Sequence, residues 1–254
     1  MNRLTSISTV VTGAGKGIGE AIARRYALEG AHVTLADIDL ASAEAVRDDI
    51  VARGGAAIAV EMDVADRDAV RAGLAEARDR FGRIDVMVNN AGISMSTELF
   101  TTTAEIWMRH QRVNGLGTLI GMQEAARHMI AQGGGGRIIN LTSISGRRNN
   151  LDWVAYAASK ATISSLIASG ARALAPHGIT VSGIAPGIVE TPLWSGVFED
   201  PDARAARFER YAAEIPLGRI SVADDLAGAA VFLATEDAAY LTGQTVTVDG
   251  GITA

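Results

Sequence analysis

Short runs of β-branched and other apolar residues alternate along the chain with longer stretches that are amphipathic or rich in alanine. The short runs are apolar at nearly every position, which is typical of strands in a parallel sheet whose two faces are both covered. The longer stretches have the length and spacing of helices. The predicted strands are Ile7–Thr12, His32–Ala36, Ala57–Glu61, Ile84–Asn89, Arg137–Thr142, Thr180–Ile184 and Thr245–Val248, and the predicted helices are Gly17–Glu29, Leu40–Arg53, Arg67–Phe81, Thr103–Ala131, Asp152–Ala175 and Val222–Ala234.

This alternation predicts a three-layer α/β protein, in which a doubly wound parallel sheet of mostly seven strands lies between two layers of helices. The chain has 254 residues, of which 48% are hydrophobic. That is enough to bury one sizeable core, and folds of this kind are often not divided at this length, so we expect one domain over residues 1–254. The longest break in the alternation is the irregular stretch 192–216, and such a loop is usually functional or mobile.

Composition narrows the possible chemistry. The chain has no cysteine, which excludes disulfides and thiolate chemistry. Its four histidines form no i,i+4 ligand pair, so we expect no metal site. The net charge of −6 argues against nucleic acid or an anionic membrane as the main partner. No apolar run approaches the length of a membrane span or a signal peptide, so we expect a cytoplasmic protein.

A glycine-rich segment joins the first predicted strand to the first predicted helix. Its four glycines lie at alternate positions from Gly13 to Gly19. They allow a tight turn and let backbone N–H groups approach a diphosphate at the helix N-terminus. Asp37 closes the second strand, where a carboxylate can accept hydrogen bonds from ribose hydroxyls, although by itself it could be a solvated acid at a strand end. Together the two features predict a dinucleotide site.

A candidate acid–base group lies in the predicted helix Asp152–Ala175. Tyr156 and Lys160 are four residues apart, so they share one face of the helix. A cation beside a phenol lowers the phenol pKa, which suits general acid–base catalysis near neutral pH. Ser143 follows a predicted strand at the carboxyl edge of the sheet, where ligands bind in open α/β sheets. Of the 23 basic residues only Lys16 and Lys160 are lysines, a weak sign that an ammonium group is required there.

Five motifs occur in the order typical of one enzyme family. They are the loop Thr12–Gly19, Asn89-Asn-Ala-Gly92, Ser143, Tyr156-x-x-x-Lys160 and Pro186-Gly187. In these residues the chain resembles the classical short-chain dehydrogenases/reductases, and the resemblance extends over essentially the whole chain. It implies a Rossmann fold and nicotinamide-dependent hydride transfer between a secondary alcohol and a ketone. It also implies a catalytic tetrad, and all four residues are present: Asn114, Ser143, Tyr156 and Lys160.

The resemblance implies a role for each tetrad residue. Tyr156 would exchange a proton with the substrate oxygen, and Ser143 would hold that oxygen by a hydrogen bond. Lys160 would bind the nicotinamide ribose and lower the pKa of Tyr156, while Asn114 would hold a water that connects Lys160 with solvent. Matching the family motifs residue by residue implies this cofactor-binding set: Gly13, Lys16, Gly17, Ile18, Gly19, Asp37, Asp63, Val64, Asn90, Ala91, Gly92, Tyr156, Lys160, Pro186, Gly187, Val189 and Thr191.

Charge at the end of the second strand predicts NAD rather than NADP. A 2′-phosphate would meet Asp37 at close range, and the next residues supply a second acid, Asp39, and no base. Lys16 is a contrary signal, because a basic residue in the glycine loop can bind a 2′-phosphate. We weigh the two acids above the one lysine and expect NAD.

The segment after Ser143 indicates the class of substrate. It connects the catalytic strand to the catalytic helix and is rich in hydrogen-bond donors. These donors are Arg147, Arg148, Asn149 and Asn150. We expect a small polar substrate such as a polyol, sugar or sugar acid, with Ser145 and Trp153 as pocket walls. The alternative is that both arginines face solvent or a neighbouring subunit.

The stretch 192–216 is expected to act as a lid that closes over the substrate and excludes water. Among its large aromatic residues are Trp194, Phe198 and Phe208. Aromatic side chains in such a stretch can cover a pocket with apolar surface.

Two other functions and one assembly stay open. The family also contains NADPH-dependent 3-oxoacyl thioester reductases, which Asp37 and the acidic chain do not favour. A non-catalytic dinucleotide-binding regulator could share the fold, and the intact tetrad argues against it. The family's usual assembly pairs two long helices across a two-fold axis. The small-residue-rich segments Thr103–Ala131 and Asp152–Ala175 therefore predict a homotetramer, with packing inside one chain as the alternative.

Overall fold

A computed structural model describes residues 2–148, 152–196 and 200–254. The strands in these residues are β1 (Ser8–Thr12), β2 (His32–Asp37), β3 (Ala56–Glu61), β4 (Val86–Asn89), β5 (Gly136–Leu141), β6 (Ile179–Pro186), β7 (Val189–Glu190), β8 (Ser221–Val222) and β9 (Thr245–Val248). Seven of them form one sheet in the order β3-β2-β1-β4-β5-β6-β9, and every neighbouring pair is parallel. The predicted doubly wound sheet is confirmed, with strand ends within two residues of those predicted.

Helices cover both faces of this sheet. The helices of the described residues are α1 (Gly17–Leu28), α2 (Leu40–Ala52), α3 (Arg67–Phe81), α4 (Ala104–His110), α5 (Gly117–Gln132), α6 (Val154–Leu174), α7 (Pro201–Glu214) and α8 (Asp224–Ala234). Buried residues of α1, α2 and α8 form one core, and those of α3, α5 and α6 form the other. Neighbouring residues of β1 point into opposite cores, Val10 into one and Val11 into the other, which explains why the strand is buried at every position. No helix of the described residues is long and apolar enough to cross a membrane.

The predicted helix Thr103–Ala131 is helical almost throughout, but it is not a regular α-helix. Residues Gln111–Leu116 form a π-helix between α4 and α5. Such wide turns occur mostly at functional sites. Here the π-helix contains Asn114, whose backbone carbonyl oxygen accepts a hydrogen bond from the Thr118 hydroxyl at 2.7 Å. Hydrophobic spacing alone could not reveal this interruption, because one extra residue in a helix barely changes the apolar pattern.

The stretch 192–216 was wrongly predicted to be irregular. It contains a short 3₁₀ turn at Pro192–Gly196 and the 14-residue helix α7. The helix begins after Asp200, whose carboxylate accepts from the Asp202 N–H at 3.0 Å. Pro201 is the first helical residue, a position where proline is favoured because its missing N–H has no partner there. Phe198 lies outside the described residues.

Candidate active site

The carboxyl ends of the parallel strands border one large cleft of about 1420 Å³. Nearly all the predicted site residues line it. These are Gly13, Lys16, Gly17, Ile18, Asp37, Asp63, Val64, Asn90, Ala91, Gly92, Ser143, Ser145, Trp153, Tyr156, Lys160, Pro186, Gly187, Val189 and Thr191. Gly19 and Asn114 are the predicted residues that lie behind this lining.

The glycine loop between β1 and α1 is shaped by close backbone contacts. Gly13 has a φ of +63°, and a Cβ there would lie 2.9 Å from the Cα of Ala91. A Cβ on Gly19 would lie only 2.1 Å from the carbonyl oxygen of Gly13. Because Gly19 has no side chain, the first turn of α1 can pack directly on the loop. This glycine therefore has a packing function and does not line the cleft.

Asn90 and Thr12 hold the glycine loop in place. The Asn90 side-chain amide donates to the carbonyl oxygens of Thr12 at 2.8 Å and Gly13 at 3.1 Å. In return, the Thr12 hydroxyl accepts from the backbone N–H groups of Asn90 at 3.0 Å and Ala91 at 3.1 Å. The Asn89–Gly92 motif thus has a structural function, while three of its residues also face the cleft.

Asp37 presents a carboxylate at the end of β2. Its two oxygens accept from the backbone N–H groups of Gly15 at 2.9 Å and Asp39 at 3.0 Å, and only 7% of the residue is exposed. A carboxylate has about four acceptor positions, so capacity remains for ribose hydroxyls. Hydrogen bonds from Ser42, and also the positive charge of Lys16, lower the pKa of Asp39. The charge of Lys16 therefore acts on an acid of the protein itself.

Ser143, Tyr156 and Lys160 meet in the cleft next to the end of β5. The Ser143 hydroxyl hydrogen-bonds to Tyr156 and accepts from the Ser145 N–H at 3.1 Å. The ammonium of Lys160 is buried, donates to the carbonyl oxygen of Leu141 at 2.8 Å, and lies 5.6 Å from the centroid of the Tyr156 ring. Two ammonium hydrogens remain for a ligand. The predicted i,i+4 pair thus lies on one face of α6, and the hydroxyl of Ser143 lies next to that face.

The pKa of Tyr156 departs from the expectation. Burial raises its pKa above the ordinary phenol value, and the hydrogen bond with Ser143 lowers it by less. Burial also lowers the pKa of Lys160 to about 8. The prediction that Tyr156 has a lowered pKa is therefore wrong for the protein alone, because the cost of burying a phenolate exceeds the opposing effects.

Asn114 lies behind the cleft lining and connects two of the segments that form it. Its side-chain amide donates to the Ile93 carbonyl at 3.0 Å and to the Ser159 hydroxyl at 2.9 Å, and its side-chain oxygen accepts from the Ile93 N–H at 2.8 Å. It links the segment after β4 to α6. A Cβ on Gly92 would lie 3.1 Å from the Asn114 side-chain oxygen, which is a tight contact, and 3.7 Å from the Lys160 ammonium, which is an ordinary one.

A chain of aromatic rings leads from Tyr156 to α7. Trp153 lies edge-on to Tyr156, with centroids 5.9 Å apart, and edge-on to Trp194 at 5.6 Å. Trp194 in turn contacts Phe208 at 5.5 Å and Tyr211 at 6.2 Å. Edge-to-face pairs at these distances are favourable, so the rings connect α7 to α6.

Helix α7 adds polar residues to the cleft that the sequence reasoning missed. They are Arg207, Arg210, Tyr211 and Glu214. Arg207 donates to the Tyr211 hydroxyl at 2.9 Å and forms an ion pair with Asp152 at 3.2 Å. The spacing of three and four residues within this set is helical, and recognising Asp200–Pro201 as a helix start would have revealed it.

The two arginines after Ser143 differ. Both are exposed, but Arg148 lines the cleft and Arg147 does not. Asn149 and Asn150 lie outside the described residues.

The cleft fits a nicotinamide dinucleotide. One continuous space is lined both by Asp37 at the end of β2 and by Tyr156 on α6. The glycine loop brings backbone close to this space, as a diphosphate requires. Within the described ranges, no group of three or more histidine or acidic residues is placed to hold a metal ion.

Comparison with known proteins places the whole chain in one family. A family model described as "Enoyl-(Acyl carrier protein) reductase" matches residues 13–253. A sorbitol dehydrogenase of Cereibacter sphaeroides is 42% identical, and a galactitol 2-dehydrogenase of Agrobacterium fabrum is 40% identical, each over 98% of both chains. A 3beta-hydroxysteroid dehydrogenase 1 of Eggerthella lenta is 40% identical over 97% of this chain and 93% of its own.

A solved structure agrees with these relatives. The crystal structure of a short-chain type dehydrogenase/reductase from Mycobacterium marinum superposes with a TM-score of 0.92 and 34% sequence identity. The match covers 98% of this chain and 96% of that one. The fold and the arrangement of strands are therefore shared along the whole chain.

Proposed function

The chain belongs to the short-chain dehydrogenase/reductase family, and on that premise we propose that it interconverts a secondary alcohol and a ketone on a small polyol, sugar or sugar acid, with NAD as cofactor. It is an oxidoreductase that acts on alcohol groups, and its family uses nicotinamide cofactors. The observation that carries the substrate proposal is the polar wall of the cleft beyond Tyr156. Its charged residues are Arg148, Arg207, Arg210 and Glu214.

The nicotinamide group, when bound, supplies or accepts the hydride. In reduction, Tyr156 donates a proton to the carbonyl oxygen, and its raised pKa keeps it protonated for that step. Ser143 lies in hydrogen-bond contact with Tyr156, so the same hydroxyl can hold the substrate oxygen and stabilise its developing charge. The positive charge of Lys160 favours the phenolate left behind. In oxidation the proton passes the opposite way.

Polar side chains and aromatic edges together suit a polyhydroxylated substrate. Arginine side chains supply donors for hydroxyl or carboxylate oxygens. The edges of Trp153 and Trp194 offer apolar surface to the C–H groups of the same molecule. The names of two relatives, sorbitol dehydrogenase and galactitol 2-dehydrogenase, support this class.

A substrate panel tests the proposal. We expect kcat/KM to be highest for a polyol, sugar or sugar acid among a set that also holds a hydroxysteroid and a long-chain 3-hydroxyacyl thioester. The steroid and the thioester call for an apolar channel that these charged residues do not provide. A higher kcat/KM for either one than for every polar substrate would reject the proposed class.

NAD is the proposed cofactor because Asp37 is buried and held by two backbone N–H groups. A 2′-phosphate would meet this fixed negative charge, while the charge of Lys16 is partly offset by Asp39. We expect kcat/KM to be higher with NAD than with NADP. Asp37→Ser should lower the ratio of kcat/KM with NAD to kcat/KM with NADP at least tenfold. A wild-type preference for NADP would show that Lys16 outweighs the two acids.

The remaining proposals concern the shape of the working enzyme. Residues 1–254 form one domain in which 192–216 serve as the lid, held by the rings around Trp194 and by the Arg207–Asp152 ion pair.

The outer face of α6 carries exposed small residues, Ala161, Ser165 and Ala168, which suit close pairing across a two-fold axis in a homotetramer. Light scattering at micromolar concentration checks the assembly, and a monomer would contradict it.

A further inference from the structure

The C-terminal turn, residues 249–254, folds back onto the cleft. The Asp249 carboxylate accepts from the backbone N–H groups of Gly251 at 2.9 Å and Thr253 at 3.1 Å. This closes a compact turn directly after β9. As a result, Ile252 becomes part of the cleft lining.

Arg148 ties this turn to the segment that follows Ser143. Its guanidinium Nη1 donates to the carbonyl oxygen of Ile252 at 2.6 Å, across 104 positions of sequence. The backbone of Arg148 is itself fixed, since its N–H donates to the Ile144 carbonyl at 2.8 Å. Four further N–H groups of the guanidinium remain, and the residue lines the cleft. The neighbouring Arg147 side chain makes no hydrogen bond or ion pair within the described residues.

The start of the turn is joined to the segment that follows α7. The Leu217 N–H donates to the carbonyl oxygen of Gly250 at 3.2 Å, and a Cβ on Gly251 would lie 3.1 Å from Pro216. Three parts of the chain that are distant in sequence thus meet at one end of the cleft. The position of Ile252 depends on contacts from two of them.

We propose that Ile252 is the end wall of the substrate part of the cleft, and that Arg148 is the positioning residue that holds it there. The wall sets the length of the alcohol that the enzyme accepts. The inference rests on the proposed function, because it places the alcohol between Tyr156 and Ile252. An apolar wall discriminates between substrates that differ by one carbon unit, and its loss relaxes that discrimination by about tenfold or more.

Arg148→Ala and Arg147→Ala form a matched pair for the test. The readout is kcat and KM for polyols of four to seven carbons, or for a length series of whichever alcohol class the wild type oxidises. We expect Arg148→Ala to raise the kcat/KM of the longest substrate relative to the shortest by about tenfold, mainly through KM. Arg147→Ala should change this ratio less than about twofold. Arg148→Lys, which keeps a cationic hydrogen-bond donor, should restore part of the wild-type ratio.

A second variant separates a wall from a general loss of order. Ile252→Ala should change the length profile as Arg148→Ala does, and the double variant should add little, because both substitutions remove the same wall. A length profile for Arg148→Ala that equals that of Arg147→Ala would overturn the proposal. So would additive effects of Arg148→Ala and Ile252→Ala.

Hydrogen exchange tests the tie without any substrate. In the full-length enzyme, the peptide that covers residues 249–254 should exchange about threefold faster in Arg148→Ala than in Arg147→Ala. Equal exchange in the two variants would show that Arg148 does not hold the turn. A wild type that oxidises no polyol, sugar or sugar acid would instead reject the proposed substrate class, and the exchange result and the length series on another alcohol would still decide this inference.

Discussion

The two ends of the cleft are built from different parts of the chain. At the cofactor end, the important contacts involve the backbone: Asp37 accepts from two N–H groups, and the Asn90 amide donates to two carbonyls of the glycine loop. At the substrate end, side chains contact each other, as in the ring contact of Trp153 with Trp194 and the ion pair of Arg207 with Asp152. The first end depends on strand ends, and the second on a helix and a C-terminal turn laid over them.

The two ends of the cleft should tolerate amino-acid substitutions differently. Backbone contacts need glycine where a Cβ would collide, so few residue types are acceptable at the cofactor end. Side-chain contacts can be replaced by other pairs of similar size, so the substrate end can vary without loss of the fold. We expect substitutions at the cofactor end to affect folding and cofactor binding together, and those at the substrate end to affect KM alone.

The largest effect is expected where the two ends meet, at Tyr156. Tyr156→Phe removes the hydroxyl that we propose transfers the proton, and it keeps the ring that contacts Trp153. We expect kcat to fall by about 10³-fold, while the affinity for the reduced cofactor measured by calorimetry stays within about twofold. Turnover within tenfold of the wild type would contradict the assignment of Tyr156.

Gly19→Ala tests the backbone-built end. The new Cβ would lie 2.1 Å from the Gly13 carbonyl oxygen and 2.5 Å from the Asn90 amide nitrogen, so the loop must shift. We expect the free energy of unfolding to fall by about 3 kcal/mol and cofactor affinity to fall about 100-fold. The control is Gly228→Ala on α8, where no atom lies within 4 Å of the Cβ. That variant should be equally or more stable than the wild type.

Lys160→Met tests the cost of burying an ammonium between the two ends. Burial lowers the folded-state pKa of Lys160 from 10.5 to about 8, so at pH 7 the charged form is destabilising. The unfolded chain binds more protons between these two values, and wild-type stability should therefore rise as pH increases from about 8 to 10.5.

At pH 7 we expect Lys160→Met to unfold with a free energy about 2 kcal/mol higher than the wild type, while turnover is lost. The gap between the two proteins should shrink above pH 8, as followed by denaturant unfolding at several pH values. Lys16→Met, which replaces an exposed lysine, is the control and should change the free energy of unfolding by less than about 0.5 kcal/mol at pH 7. A constant gap for Lys160→Met would contradict the burial argument.

The smallest effect is expected at the side-chain-built end. Arg207→Gln breaks the ion pair with Asp152, but both side chains are partly exposed, so the loss is modest. We expect KM for the alcohol to rise about fivefold with the cofactor Kd unchanged. Arg204→Gln is the matched control, because Arg204 lies on the same helix and pairs with Glu190 outside the cleft. Equal KM changes in the two variants would show that the ion pair does not hold the lid.

Much of the molecule followed from local patterns in the sequence. The strand–helix alternation predicts the parallel sheet, because strands that are covered on both faces have near-continuous apolar runs. Such runs are visible in the local sequence, whatever place each strand takes in the sheet. The glycine loop, Asp37 and the Tyr156–Lys160 pair could be placed in the cleft because their positions follow from strand ends and helical spacing.

Other features depend on which distant segments the fold brings together. The π-helix around Asn114, the packing of α7 over Trp194 and the contact of Arg148 with Ile252 join parts of the chain that no local spacing relates. The direction of the Tyr156 pKa belongs to the same group. Spacing shows that Lys160 is near the phenol, but only the tertiary structure determines how deeply both groups are buried, and in this protein burial has the larger effect.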